Sequence, residues 1–149
     1  SLPAICTALL QDGQPVEAGW PYLFADPVST AWSPPANVGV VHRRASTYGT
    51  ATLSNIIIEI TSGRPVIVVT QLSPAFYQPT GDGVVSPRAG EVPDPKLRHA
   101  VLAVGHGTVD GHRAVLVRNS WGLGWGIGGH AWLTETFLAP SLLGTAKLS

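Results

Sequence analysis

RHAVLAVGHGTVDGHRAVLVRNSWGLGWGIGGHA, residues 98–131, is the stretch from which the rest of the chain can be read. It holds two apolar runs, Arg98–Gly105 and Arg113–Arg118, joined around Asp110-Gly111. Such a dipeptide between β-type segments predicts a hairpin, because both residues tolerate the positive φ of a tight turn. His99 then opens one strand and Asn119 ends its neighbour, and antiparallel pairing brings the two close in space. A neutral amide beside an imidazole holds one ring nitrogen by a hydrogen bond, fixing ring orientation and tautomer without removing positive charge. That suits a histidine that activates a thiol, since the thiolate is the nucleophile and an imidazolium lowers the thiol pKa. Trp121 follows two residues after Asn119, where an indole would cover that hydrogen bond and exclude water, strengthening it in a lower dielectric. On spacing alone, a strand histidine satisfied by ordinary structural contacts explains the pattern as well.

Working outward, Ser1 to Leu10 reads as a helix, with Pro3 in its first turn and Gly13 supplying the stop. Gln14 to Pro35 is rich in Pro and Trp, includes Trp20-Pro21-Tyr22, and predicts irregular packed structure. Val38 to His42 reads as a strand. Leu53, Ile56, Ile57 and Ile60 share one face at helical spacing, with Thr50 or Thr52 as cap and Gly63 as end. Pro65 to Leu72 reads as a buried strand, and Ser73 to Pro95 as a long surface excursion near a site. Gly129 to Leu133 predicts another strand, and Thr134 to Leu138 the start of a short helix. An early helix, a middle helix and a β-rich second half make the class α+β, not a parallel α/β alternation.

With 149 residues the chain is expected to form a single domain. Chains of this size bury about 70% of their unfolded surface, enough for a real core. Nine basic residues balance nine acidic ones, which argues against nucleic acid or an acidic membrane as the main partner. No apolar run approaches the ~18 residues of a membrane span. One cysteine allows no internal disulfide, and the lack of methionine leads us to expect a processed product or a piece of a longer chain. His106, His112 and His130 match no metal-ligand spacing, so neither a metal nor another cofactor is called for. Ser33, Ser73 and Ser120 lack a Gly-x-Ser-x-Gly context. His42-Arg43-Arg44 reads as a solvated strand end, and Trp20, Trp32, Trp125 and Trp132 as packing aromatics. Nothing in the chain addresses its localisation.

The letters around the hairpin sharpen this reading. His99-Ala100-Val101-Leu102-Ala103-Val104-Gly105-His106-Gly107 resembles the segment carrying the catalytic histidine of the papain family. Asn119-Ser120-Trp121-Gly122-Leu123-Gly124-Trp125-Gly126 resembles the segment carrying that family's asparagine and the tryptophan over it. Gly13 through Tyr22 is similar to the helix exit after the nucleophile region in bacterial papain-like enzymes. Gly63-Arg64-Pro65-Val66 is similar to the start of the strand lining the substrate cleft, and Phe76 to Val85 to the loop before the histidine. The resemblance implies a papain-like cysteine peptidase fold, mainly its β-rich half with an early helix and one middle helix. It also implies acyl transfer from a peptide or protein substrate through a thioester. Val69, Leu97 and Ala100 match walls of the family's main specificity pocket; all three are apolar, which suits a hydrophobic substrate side chain and equally suits core packing.

The chain departs from the family at the nucleophile. Neither the Cys-Gly-Ser-Cys-Trp-like segment nor the upstream glutamine that donates to the oxyanion is present. The one thiol, Cys6, lies about 90 residues before His99, against roughly 130–150 in papain-like enzymes. Aligned on Trp-Pro-Tyr, Cys6 falls inside a helix at a core-facing position, where a cysteine packs as a small hydrophobe. Arg98 stands where the papain prototype has an acidic residue, and is expected to pair with Asp94 or Glu91 or to be solvated. Three readings follow. The chain is the C-terminal portion of a peptidase whose nucleophile helix was removed or comes from a complementary chain. Alternatively, it is a pseudo-peptidase that binds peptides without turnover, or a compact peptidase using Cys6. In the first two, the apolar face bared by the missing helix is expected to be covered by another chain, a swapped element or the first helix.

Overall fold

In the computed structural model, residues 1–20, 35–50 and 52–148 are described, so Pro21, Tyr22, Trp32, Ser33 and most of the predicted Pro- and Trp-rich loop lie outside them. The described residues form two compact units, residues 1–46 and 47–148.

The first unit opens with α1 (Leu2–Gln11), which carries Pro3 in its first turn. The chain leaves it through Gly13 at φ +80°, whose N–H donates to the Ala8 carbonyl. Strands β1 (Gln14–Pro15) and β2 (Val41–His42) pair antiparallel. The strand read over 38–42 thus shrinks to two residues, matching a partner that itself ends at a proline, which has no N–H to extend the ladder. Arg43 is not merely solvated: its Nε donates to the Gln11 carbonyl at 3.0 Å.

The second unit contains all but the first residue of β3 (Ser46–Gly49), then α2 (Leu53–Thr61), β4 (Val66–Leu72), α3 (Pro74–Tyr77), β5 (Val84–Val85), β6 (Asp94–Val109), β7 (His112–Arg118), β8 (His130–Thr134), α4 (Glu135–Ser141) and β9 (Leu142–Leu148). Its strands form one sheet in the order β3-β9-β4-β6-β7-β8-β5. Thr52 is the residue that caps α2, its hydroxyl accepting from the Asn55 N–H at 3.3 Å. The predicted apolar face of α2 packs as read: Leu53 and Ile56 are buried, with Ile57 and Ile60 against the core. The hairpin turns at Asp110 (φ 49°) and Gly111 (φ 77°), the two positive values a two-residue turn demands, and Val109 pairs with His112 across it.

Three readings are corrected. The Val-Ile-Val-Val strand β4 is fully buried on one face only: Val66, Val68, Thr70 and Leu72 are inside, while Ile67, Val69 and Gln71 are half-buried. The 73–95 segment is not a surface excursion throughout. Its apolar residues Phe76, Val84 and Val85 are buried, and β5 pairs parallel with β8. Finally, β9 has no counterpart in the sequence reading. Its Gly, Ala and Lys are poor strand formers, yet it pairs with β4 from Val66↔Lys147 to Val69↔Gly144.

Helices α2, α3 and α4 supply the core beside the sheet's buried face, with Ile56, Phe76, Phe137 and Leu138 meeting Val68, Val101, Val115, Val117 and Leu133. Each such side chain contributes about 1.5–3 kcal/mol relative to exposure. Ile67, Val69, Leu102, Leu116 and Trp132 remain half-buried. No described helix is long and apolar enough to cross a membrane.

Candidate active site

His99 sits within β6, directly opposite Thr70 of β4. Asn119 follows the last residue of β7, and its N–H donates to the Gly129 carbonyl at 2.9 Å. The 119–130 segment folds back tightly enough that Gly126 admits no side chain: its φ is +57°, and a Cβ would lie 2.1 Å from the His130 carbonyl oxygen. The fold-back leaves Asn119 only 7% exposed and facing His99.

His99 Nε2 and Asn119 Oδ1 are 2.7 Å apart. The direction of that bond follows from a second one. The Ser120 backbone N–H, which can only donate, lies 2.8 Å from the same Asn119 atom, so that atom is the amide oxygen. An amide oxygen only accepts, hence His99 Nε2 carries the hydrogen, and Nδ1 is left for a second partner. The Asn119 Nδ2 group is buried without a hydrogen-bond partner among the described residues.

Aromatic rings surround the imidazole. Trp121 lies over it, centroids 4.7 Å apart at 36°, and Phe76 meets it edge-on at 5.7 Å and 70°. Tyr77 stacks on Trp121 at 5.4 Å and 18°, while Trp125 packs against Phe76 at 5.1 Å and donates its Nε1–H to the Phe76 carbonyl at 2.8 Å. Pairs of this kind each contribute about 0.5–1.5 kcal/mol beyond area burial. Phe76 and Tyr77 were not singled out as site residues in the sequence. Their signal is a Ser-Pro helix start followed by two adjacent aromatics, which places one inward and one at the surface.

Val69 and Ala100 are direct cross-strand partners between β4 and β6. Leu97 instead lines a groove of about 410 Å³ with Leu72, Tyr77 and Val92, Arg88 and Asp94 also bordering it. None of the three belongs to the buried core cluster. Arg98 is exposed and forms no ion pair with its expected partners. The Asp94 carboxylate accepts from the Lys96 N–H, and Glu91 accepts from the Ala75 N–H. Cys6 is buried in α1, in the first unit, and its carbonyl accepts from the Ser46 hydroxyl at 3.4 Å. No three His, Cys, Asp or Glu side chains come together as a metal site among the described residues.

Known proteins are similar to this chain in sequence and in fold. A cysteine protease of Blomia tropicalis is 35% identical over 79 residues, 53% of this chain and 23% of its own. Cysteine proteinase 1 of Entamoeba histolytica is 59% identical over 34 residues, 23% of this chain and 11% of its own. In structure, xylellain, a cysteine protease from Xylella fastidiosa, superposes with a TM-score of 0.75 at 18% identity, covering 97% of this chain and 59% of that one. The chain thus spans less than a quarter of these sequence relatives and little over half of the solved structure. The fold is papain-like, and the family described as papain family cysteine protease matches residues 12–137, most of the chain. This chain belongs to the papain family of cysteine proteases.

Proposed function

We propose that the chain furnishes the acid–base half of a cysteine peptidase, with the thiol supplied by a segment or partner chain outside the one described. The observation that carries this reading is the doubly fixed Asn119 amide, which leaves His99 with its hydrogen on Nε2 and its Nδ1 available. His99 Nδ1 takes the thiol proton, and the resulting thiolate–imidazolium pair is the resting nucleophile. The sulfur attacks the peptide carbonyl carbon, and the C–N bond breaks as the imidazolium gives its proton to the leaving amine. Water, deprotonated by the same nitrogen, then attacks the thioester, releasing the carboxylic acid and restoring the thiol. Asn119 orients the ring throughout, and Trp121 shields the Nε2–H···O bond from water. Val69, Leu97 and Ala100 favour an apolar side chain of the peptide.

Two other readings keep a specific observation each. Cys6 is the one thiol of the chain, which favours the compact enzyme. That thiol is buried in α1, which favours a pseudo-peptidase that binds peptides without turnover.

Hydrolysis of a fluorogenic peptide by the native protein, with any accompanying chain, separates the three. Activity lost in His99→Ala and kept in Cys6→Ser supports the first reading. Loss in Cys6→Ser supports the compact enzyme, and saturable binding with no turnover supports the pseudo-peptidase. The first reading fails if the encoding gene holds no cysteine-bearing helix before Ser1 and no co-purifying chain supplies one.

A further inference from the structure

Helix α3, Pro74–Tyr77, is four residues long, too short to hold itself in water, and its first N–H groups need acceptors from elsewhere. Ser73 occupies its N-cap position but makes no capping hydrogen bond with its side chain. The acceptor comes from sixteen residues further along. One oxygen of Glu91 accepts from the Ala75 N–H at 2.9 Å, and the other lies 3.5 Å from the Arg88 N–H. A backbone turn, Glu91 N–H to Arg88 carbonyl at 3.0 Å, presents the carboxylate. The same short helix carries Phe76, edge-on to His99, and Tyr77, stacked on Trp121. Glu91 therefore stands two contacts away from the imidazole, through a helix that cannot persist alone.

We infer that Glu91 is a positioning residue: its carboxylate pins the returning loop to α3 and so holds Phe76 against His99 and Tyr77 against Trp121. The inference rests on the acid–base reading of His99 for its functional meaning. Burial tends to raise the Glu91 carboxyl pKa, but the Ala75 and Arg88 N–H groups that donate to it and the Arg88 charge oppose that, and it lies below its ordinary 4.5. The charged group set against Glu91 is Arg88 on its own turn; Tyr77 on α3 and Asp94 at the start of β6 border the groove that Arg88 also lines. Because the folded value is the lower one, the restraint is complete above the ordinary carboxylate range and is lost as pH falls through the lowered value.

The test is the NMR spectrum of the full chain, following the Trp121 indole N–H (assigned with Trp121→Phe) and the His99 ring nitrogens from pH 7 to 3. Wild type is expected to show a Trp121 shift in a step below pH 4.5 that precedes loss of far-UV circular dichroism. Glu91→Gln, which is neutral at every pH of the titration, is expected to show no such step. Glu91→Ala is expected to shift both signals already at pH 7. A Glu91→Gln protein that keeps the step, or a Glu91→Ala protein with wild-type signals, overturns the inference. Should Glu91→Ala fail to fold, the wild-type and Glu91→Gln titrations decide. No turnover is read, so an inactive chain counts against the peptidase reading and leaves this one standing.

Discussion

Asn119 fixes its neighbour because its own amide is fixed first, by the backbone of Ser120. Substituting Asn119→Ala removes the acceptor of the His99 Nε2–H, and in the proposed mechanism that imidazole carries charge. Hydrogen bonds to charged groups contribute about 1.5–3 kcal/mol, so kcat/KM of the complete enzyme is expected to fall about 10- to 100-fold. The measurement is steady-state peptide hydrolysis at pH 6 to 8. In the isolated chain, the His99 Nε2–H resonance should broaden or vanish in the variant, while in the unsubstituted protein it stays sharp. The His99–Asn119 pairing was legible in the sequence because the Asp110-Gly111 turn sets the two strands side by side and the segments around both residues resemble the papain family's. The Phe76 and Tyr77 contacts were not, since they join α3 to Trp121 across more than forty residues without a local pattern.

Among the elements, α2 offers the cleanest test of local chemistry. Thr52→Ala deletes the hydroxyl that accepts from the Asn55 N–H, and is expected to cost about 1 kcal/mol in urea unfolding without altering the His99 environment. Phe76→Ala is a different case, because that ring is fully buried and touches His99, Trp121, Trp125 and Phe137. Its loss should destabilise the unit by about 3–5 kcal/mol, read by chemical denaturation, and release the rings around the imidazole. The sequence located α2 because one apolar stripe met one cap and one terminal glycine. It did not locate β9, whose pairing is dictated by its neighbours β4 and β3 and not by its own residues.

Across the molecule, one ion-pair network ties β9 to α2. Glu59 accepts from Lys147 Nζ and from Arg64 Nε, each at 2.7 Å. The Lys147 hydrogen bond first, then Arg64, lowers its carboxyl pKa below 4.5 despite the opposing effect of burial. Since the folded value is depressed, its contribution is present above the ordinary carboxylate range and lost as pH drops through the lowered value. Thermal midpoints measured from pH 7 to 3 should therefore decline less steeply below pH 4.5 in Glu59→Gln than in wild type. The α+β class and the papain-like assembly were readable from composition of elements and from the two dense segments around His99 and Asn119.

The sheet order carries a consequence for biosynthesis. Leu142–Leu148 lies between β3 and β4, strands that leave the ribosome long before it. Until those residues emerge, β3 in a nascent chain has no neighbour in the sheet and β4 keeps a bare ladder edge, the kind of surface on which partly made proteins cohere. A stalled polypeptide ending before Leu142 should therefore depend on chaperones in a translation extract, and one extended through Leu148 much less.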